Sequence, residues 1–522
     1  MLNSGLRDNA RRWPEQLAVV HGRHRLTYAD LEAGANRLAR VFRSRGLVRG
    51  DHVACLLHNG LEIFSVVWAA YRCGLYLTPV PSTLASPEAA YIVNNCQARL
   101  VIAQASMQAL AESLPAQCDA VKHWFSFGGA LDRFEALEPL LASSSDQPID
   151  DEAPGALMLY TSGTTGAPKG VWRPLLAADY AGPPPFARDL LELFQLGGAD
   201  VRYLSTAPLY HAAPLRTSLA ITAGGGTVFV MERFDAETAL SMIESEQITH
   251  SQWVPVMFQR LLALPKARRE AHHAPLHRMA YFGAAPCPHP VRRAMIDWWG
   301  SILLEYYAGT EGVGVTTITS REWLEKPGSV GPARRGVIHI LGDDDAELPA
   351  GQTGRIFFSG LTAFTYFNDP GKTSSRVSTQ GYQTLGDIGH VDQDGYLYLT
   401  DRADDMIISG GVNIYPQEIE AAIMEVAGVA DCCVVGIPDE KFGETPISFV
   451  VLTPQAATQP EVIRQAIMES NKARLGRLKQ PSEINFCEEL PRSPTGKLLR
   501  RQMLTFQRGS ATVASPAQSR LS

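Results

Sequence analysis

Residues 157–170 read LMLYTSGTTGAPKG. A short apolar run, fit for a buried strand, gives way to hydroxyls, glycines and one lysine. Such a loop suits a polyphosphate. Glycines let the backbone approach closely, N–H groups and hydroxyls donate to oxygens, and the lysine adds positive charge. The spacing does not match GxxxxGK[ST], so this is not a Walker loop. A Ser/Thr/Gly surface loop between strands is the plainer reading of the same composition.

Outward from this loop the chain alternates. Residues 26–45 carry apolar residues at helical spacing, with Thr27 as a candidate N-cap. HVACLL, a helical stretch near 61–73 and LYLTPV follow as strand, helix, strand. The pattern recurs over 201–310, through VRYLSTAP, a helix around 214–222, GTVFVM, a helix from 235, and ITHSQWVP. This predicts an α/β architecture with a partly parallel sheet. After residue 330, RIFFSG and GYLYLT between Gly, Asp and Asn read as antiparallel β. From 416 to 507 a small α+β unit is expected, with helices at 416–426 and 460–474 and strands at 432–437 and 446–452. The boundary is placed near Asp404, and the small polar residues 508–522 read as a disordered tail.

The 522 residues, with 47 basic and 54 acidic side chains, exclude a nucleic-acid binder working through broad positive charge. The eight cysteines include no CxxC pair and read as reduced, mostly buried thiols of a cytoplasmic protein. The start MLNSGLRDNARRWPEQ has no apolar core of a signal peptide, and no window approaches a membrane span.

Several further motifs carry chemistry. A carboxylate at Glu311, ending a turn of small residues, suits Mg²⁺. Tyr307 reads as an aromatic wall or as a core residue with a satisfied hydroxyl. Asp387 reads as an acceptor for paired hydroxyls or as a turn residue. Gly410 and Gly411 call for positive φ or a close approach by another chain, or make a simple bend.

Tyr160–Gly170 resembles the signature loop of the adenylate-forming superfamily, which holds acyl-CoA synthetases, adenylation domains and luciferases. GAAP at 283–286, YAGTE at 307–311, LGDIG at 385–389, DRADDMIISGG at 401–411 and PTGK at 494–497 follow in that family's order. The resemblance spans about Leu26 to Arg501. It implies a large N-terminal domain of parallel α/β sheets plus a β-rich subdomain (1–402) and a small mobile α+β C-terminal domain (403–507). It implies ATP, Mg²⁺ and coenzyme A as co-substrates of a carboxylic acid–CoA ligase acting through an acyl-adenylate.

By position, the resemblance implies that Thr161, Ser162, Gly163, Thr164, Thr165, Gly166 and Lys169 hold phosphates. Gly283, Ala284, Ala285 and Tyr307 would enclose adenine. Thr310 and Glu311 would contact the α-phosphate and metal, and Asp387 and Arg402 the ribose and phosphate. Lys497 is the expected adenylation catalyst, Asp404 the hinge, and Gly410 and Gly411 the CoA tunnel. His211, Trp253, Met257, Phe282, Ala308 and Gly309 are candidates for the acyl wall, with ordinary core packing as the other reading. This wall favours a hydrophobic acid, first of all a medium- or long-chain fatty acid. Similar enzymes are commonly homodimers.

The sequence departs from common patterns at Ala308, at the Ala403-Asp404-Asp405 hinge and at Gln383-Thr384. Trp172-Arg173-Pro174 and Trp298-Trp299 resemble a bacterial acyl-CoA synthetase subgroup that shares no single substrate. A free-standing adenylation enzyme loading a separate carrier protein, and an inactive relative acting as a sensor, are the alternative readings.

Overall fold

The computed structural model describes residues 5–161, 167–180, 182–492, 498–500 and 502–503, and of Asp404 the backbone alone. Ser162–Gly166, Lys497 and the 508–522 tail lie outside the described residues.

The early helix forms as its sequence dictates. It runs Tyr28–Ser44 with Thr27 as N-cap, whose hydroxyl accepts from the Asp30 N–H at 3.1 Å while Asp30 accepts from the Thr27 N–H at 3.0 Å. Leu31, Ala35, Leu38 and Phe42 lie on one face and are fully or almost fully buried. Full burial of a side chain such as Leu38 or Phe42 contributes about 1.5–3 kcal/mol.

Among the described residues the strands form five sheets. One has six parallel strands, ordered 135–136, 123–127, 100–104, 52–56, 76–79 and 156–157. A second has nine strands, whose centre (17–21, 227–230, 202–205, 250–253, 279–282, 303–308) is parallel and whose edges are antiparallel. Parallel strands are covered on both faces, so they read as unbroken apolar runs. Thr227–Val230 and His52–Leu56 are buried along their whole length. The largest core lies where helices Tyr28–Ser44, Glu62–Arg72 and Ala212–Gly224 pack between these two sheets.

Leu159–Thr161 and Lys169–Trp172 pair antiparallel with Thr161 opposite Lys169, so this register sets both ends of the phosphate-type loop. Thr365–Tyr366 extends that small sheet beside Lys169–Trp172. A five-stranded antiparallel sheet (329–331, 397–402, 387–391, 354–359, 337–341) places Asp387 opposite Arg402. The chain then makes a short turn at Ala403–Asp405 and enters another sheet at Ile407–Ser409. That C-terminal sheet contains Val412–Ile414, Val429–Asp439, Gly443–Leu452 and Ile484–Phe486, with helices Pro416–Met424 and Pro460–Arg474 on it. Its first strand is Ile407–Ser409, and Ser409 pairs with Gly443, which ties the 407–414 hairpin to this sheet. None of the described helices is long and apolar enough to cross a membrane.

Candidate active site

The parallel strands of the nine-stranded sheet point their C-terminal ends at a cavity of about 1320 Å³. In open α/β sheets this is where ligands bind. The strand Leu303–Ala308 delivers Gly309, Thr310 and Glu311 to its wall. Glu311 is buried, and its Oε1 accepts from the Tyr366 hydroxyl at 2.8 Å. The Glu311 carbonyl accepts from Arg173 Nη2 at 2.5 Å, and the Thr310 carbonyl accepts from Arg216 Nη2 at 3.1 Å. Lys169 Nζ sits 5.3 Å from the centre of the Tyr366 ring.

Burial pushes the Arg216 guanidinium down to about 10; the nearby Arg173 adds to this and Glu311 opposes it. It remains charged at neutral pH. Arg173 is likewise lowered by burial, with Glu311 acting against it.

A second cluster lies at the rim. The Tyr307 hydroxyl donates to Asp387 Oδ2 at 2.5 Å, and Arg402 Nε pairs with Asp387 Oδ1 at 3.2 Å. Burial, with the Asp387 charge beside it, holds the Tyr307 phenol far above its ordinary range, so it stays a neutral donor. Gly283 admits no side chain, since a Cβ there would come within 2.6 Å of the Tyr306 carbonyl. Ala284 beside it has φ +72°, a strained conformation for a residue with a Cβ, on the cavity wall.

The described residues expected to touch nucleotide or metal (Thr161, Lys169, Gly283, Ala284, Ala285, Tyr307, Thr310, Glu311, Asp387 and Arg402) all line this one cavity. So do His211, Trp253, Ala308 and Gly309. His211 is half-buried, its Nε2 is shut from solvent without a hydrogen-bond partner, and desolvation lowers its imidazole to about 4.

Met257 and Phe282 do not line the cavity. They pack in the core beneath the opposite face of the sheet, against Phe258 and Trp253. For Phe282 the reason is the period of two along a strand: Phe282 and Tyr281 are neighbours in Met279–Phe282 and point to opposite faces; Met257 is on the helix Pro255–Leu262 and turns into the same core.

Gly410 and Gly411 also stand away from the cavity lining. They form the two-residue turn of the 407–414 hairpin, with φ +57° and +79°, as such a turn requires. Ser162, Gly163, Thr164, Thr165, Gly166 and Lys497 lie outside the described residues, but Arg492 and Leu498, which bracket the lysine segment, line the cavity.

The sequence reading passed over Arg173 as a contributor to this site, and over Arg216 and Tyr366 altogether. A signal existed for Arg216: it is the one charged residue in the otherwise uncharged helix Ala212–Gly224. Tyr366 is far from Glu311 in sequence, and only the pairing of 365–366 with 169–172 brings it there. Together the cavity joins a cluster of cations and two carboxylates, fit for a polyanion with a hard metal ion, to a largely apolar wall.

Comparison with known proteins agrees. The AMP-binding enzyme family matches residues 6–366, and its C-terminal domain matches residues 418–497. A long-chain-fatty-acid–CoA ligase of Mycobacterium tuberculosis is 34% identical, covering 91% of this chain and 92% of its own. An indoleacetate–CoA ligase of Aromatoleum aromaticum is 32% identical over 93% and 94%. The ATP-bound MatB structure from Rhodopseudomonas palustris superposes with TM-score 0.82 at 27% identity, covering 97% of this chain and 99% of its own. The chain belongs to the AMP-binding enzymes and is an AMP-forming acid–CoA ligase, with ATP, Mg²⁺ and coenzyme A as its co-substrates.

Proposed function

We propose that this ligase activates a hydrophobic carboxylic acid, of the medium- or long-chain fatty class or a related skeleton, and passes the acyl group to CoA. The supporting observation is the continuity of the cavity. From Glu311 and Lys169 it extends along a wall of Val67, Trp68, Leu190, Leu193 and Phe194. The fatty-acid relative points the same way, while the indoleacetate relative shows that the family is not confined to chains.

In this reading Asp387, ordered by Tyr307 and Arg402, accepts from the ribose hydroxyls. Gly283–Ala285 and Tyr307 enclose adenine. Glu311 fits Mg²⁺, because it presents a hard carboxylate oxygen on the cavity wall. Among the described residues no group of three or more His, Cys, Asp or Glu is gathered to hold a metal. Glu311 is the carboxylate this reading assigns to Mg²⁺, with phosphate oxygens and water as the other ligands. When bound, that ion neutralises phosphate charge.

Lys169, Arg173 and Arg216 add fixed positive charge around the α-phosphate and the acid's carboxylate, where preorganised donors lower the barrier most. Lys497, assigned by its sequence motif, neutralises charge as the carboxylate attacks phosphorus in line and pyrophosphate leaves. The unit from 403 then turns about Asp404, removing Lys497 and bringing Gly411 towards the thiol path, and a thiolate displaces AMP. The change of sheet between Arg402 and Ile407 supports that boundary. The lining position of Arg492 and Leu498, with Gly410 and Gly411 away from the cavity, fits the adenylating arrangement.

The test is pyrophosphate release from MgATP over a panel of carboxylic acids, with and without CoA. One hydrophobic class giving AMP, pyrophosphate and CoA-dependent turnover is expected. Pyrophosphate from a hydrophobic acid without CoA-dependent AMP release would point to a carrier protein as acceptor. Activity confined to small polar acids would overturn the substrate class.

A further inference from the structure

Resting on the alternation of half-reactions proposed above, we infer that Asp401 is a positioning residue for adenylation. Its carboxylate docks the helix Pro416–Met424 of the C-terminal unit and so holds the lysine segment at the cavity.

Asp401 is the penultimate residue of the strand Leu397–Arg402, and it is buried. Two N–H groups reach its two oxygens. Oδ1 accepts from its neighbour Arg402 at 2.7 Å, and Oδ2 accepts from Gln417 at 2.9 Å. The second bond bridges the Ala403–Asp405 turn, from the strand before it to the first turn of a helix beyond it. That helix brings no side-chain cap of its own. Its N-cap residue, Tyr415, makes no side-chain hydrogen bond, and Pro416 has no N–H, so the Gln417 N–H is the first that needs an acceptor. A carboxylate placed there completes the helix and meets its positive end.

The same helix leads to the lysine segment. Glu420 Oε2 accepts from Arg500 Nη2 at 2.9 Å, and Arg500 Nη1 donates to the Val434 carbonyl at 2.8 Å. Arg500 Nε lies 3.5 Å from Asp405 Oδ2 in the turn. Arg500 stands three residues past Lys497. Leu498 pairs with Arg492 across that segment, and both line the cavity. The path from Asp401 thus runs through one helix to the base of the Lys497 segment. A turn of the C-terminal unit about Asp404 parts Asp401 from Gln417, whereas the Arg500–Glu420 pair lies within that unit and travels with it. The Asp401 bond therefore exists in one arrangement alone, and a contact of that kind is what shifts a balance between two.

The test separates the half-reactions in the full chain. Asp401→Leu removes both acceptor oxygens, and Asp401→Asn keeps the shape but presents one oxygen where two N–H groups arrive. Burial lifts the Asp401 carboxyl to about 6, so the strand tolerates a neutral replacement. With an acid that turns over in wild type, single-turnover pyrophosphate release without CoA is expected to slow by about tenfold or more in Asp401→Leu, the worth of one charged hydrogen bond, and by less in Asp401→Asn. Thioester formation from the corresponding supplied acyl-AMP and CoA stays within about twofold of wild type or exceeds it. If both halves fall together, or if pyrophosphate release keeps its wild-type rate, the inference is overturned while the ligase reading stands. Should Asp401→Leu not fold, Asp401→Asn decides by the same split. Lys497→Ala, assayed alongside, reports on the alternation itself, and equal damage to both halves there would bring down the alternation and the inference together. No pyrophosphate from any acid in wild type would bring down the ligase reading as well.

Discussion

Arg216 carries a buried positive charge beside Arg173, at the meeting of the polyanion cluster and the apolar wall. Arg216→Met keeps the stem and removes the charge. We expect kcat/KM for pyrophosphate release to fall by at least about tenfold with no loss of melting temperature, because removing a buried charge from a like-charged neighbour relieves the fold. A steady-state assay beside a thermal melt checks both. Asp387→Ala should act differently. It removes the acceptor shared by Tyr307 and Arg402, so KM for ATP should rise by about tenfold or more and stability should drop by roughly 1–3 kcal/mol. At His211, burial alone sets the imidazole low. An NMR titration of labelled histidines should place its midpoint near 4; a midpoint at the ordinary value would show that the ring reaches water. These residues were unevenly legible. Glu311, Asp387 and Arg402 stand in contiguous motifs, whereas Arg216 is one charge on a helix whose facing partner the sequence does not give.

In the mechanism we propose, the two half-reactions turn on the 407–414 hairpin and on Lys497. Gly411 has positive φ but open space where a Cβ would stand, so Gly411→Leu is strained without a clash in this arrangement. We expect it to fold with a loss of about 1–2 kcal/mol, to form adenylate, and to fail in thioester formation. Lys497→Ala should do the reverse, losing adenylation but converting supplied acyl-AMP to the thioester. Equal damage to both halves by Lys497→Ala would refute the alternation. Elements were more readable than their partners. The capping box at Thr27, the hairpin glycines and the buried runs of the parallel strands all follow from local chemistry. Phe282, a candidate for the acyl wall, packs in the core instead, for a physical reason. A one-residue shift along a strand reverses the face, and an apolar run buried on both sides carries no mark of which face meets the cavity.

Across the whole molecule, burial holds four histidines neutral: His52, His211 and His250 at about 4 and His277 at about 3. An unfolded chain protonates them near 6.5. Below that pH the unfolded state binds more protons than the folded state, so stability falls as pH falls, by about 1.4 kcal/mol per pH unit for each histidine. Asp401 works the other way. Burial raises its carboxyl to about 6, so its burden eases as pH falls through that value. His123 and His289 are lowered by burial too, and Glu305 and Asp431 are raised by it, so six histidines stand against three carboxyls and leave a net loss between about pH 6 and 5. Urea midpoints measured across that window should decline, and His277→Gln should shallow the decline by about one proton. A flat profile would contradict the burial of these rings.

The sequence by itself determined the family and the order of the chemical motifs. Each of those resides in contiguous residues whose spacing and composition carry the chemistry. Tertiary structure decided which side chains share a cavity. Tyr366 meets Glu311 through a strand pairing across the chain, and Arg173 meets Arg216 through the docking of a helix. Tyr281 turns inward while Phe282 turns away because of sheet register. These are consequences of register and packing between distant segments, and no local pattern encodes them.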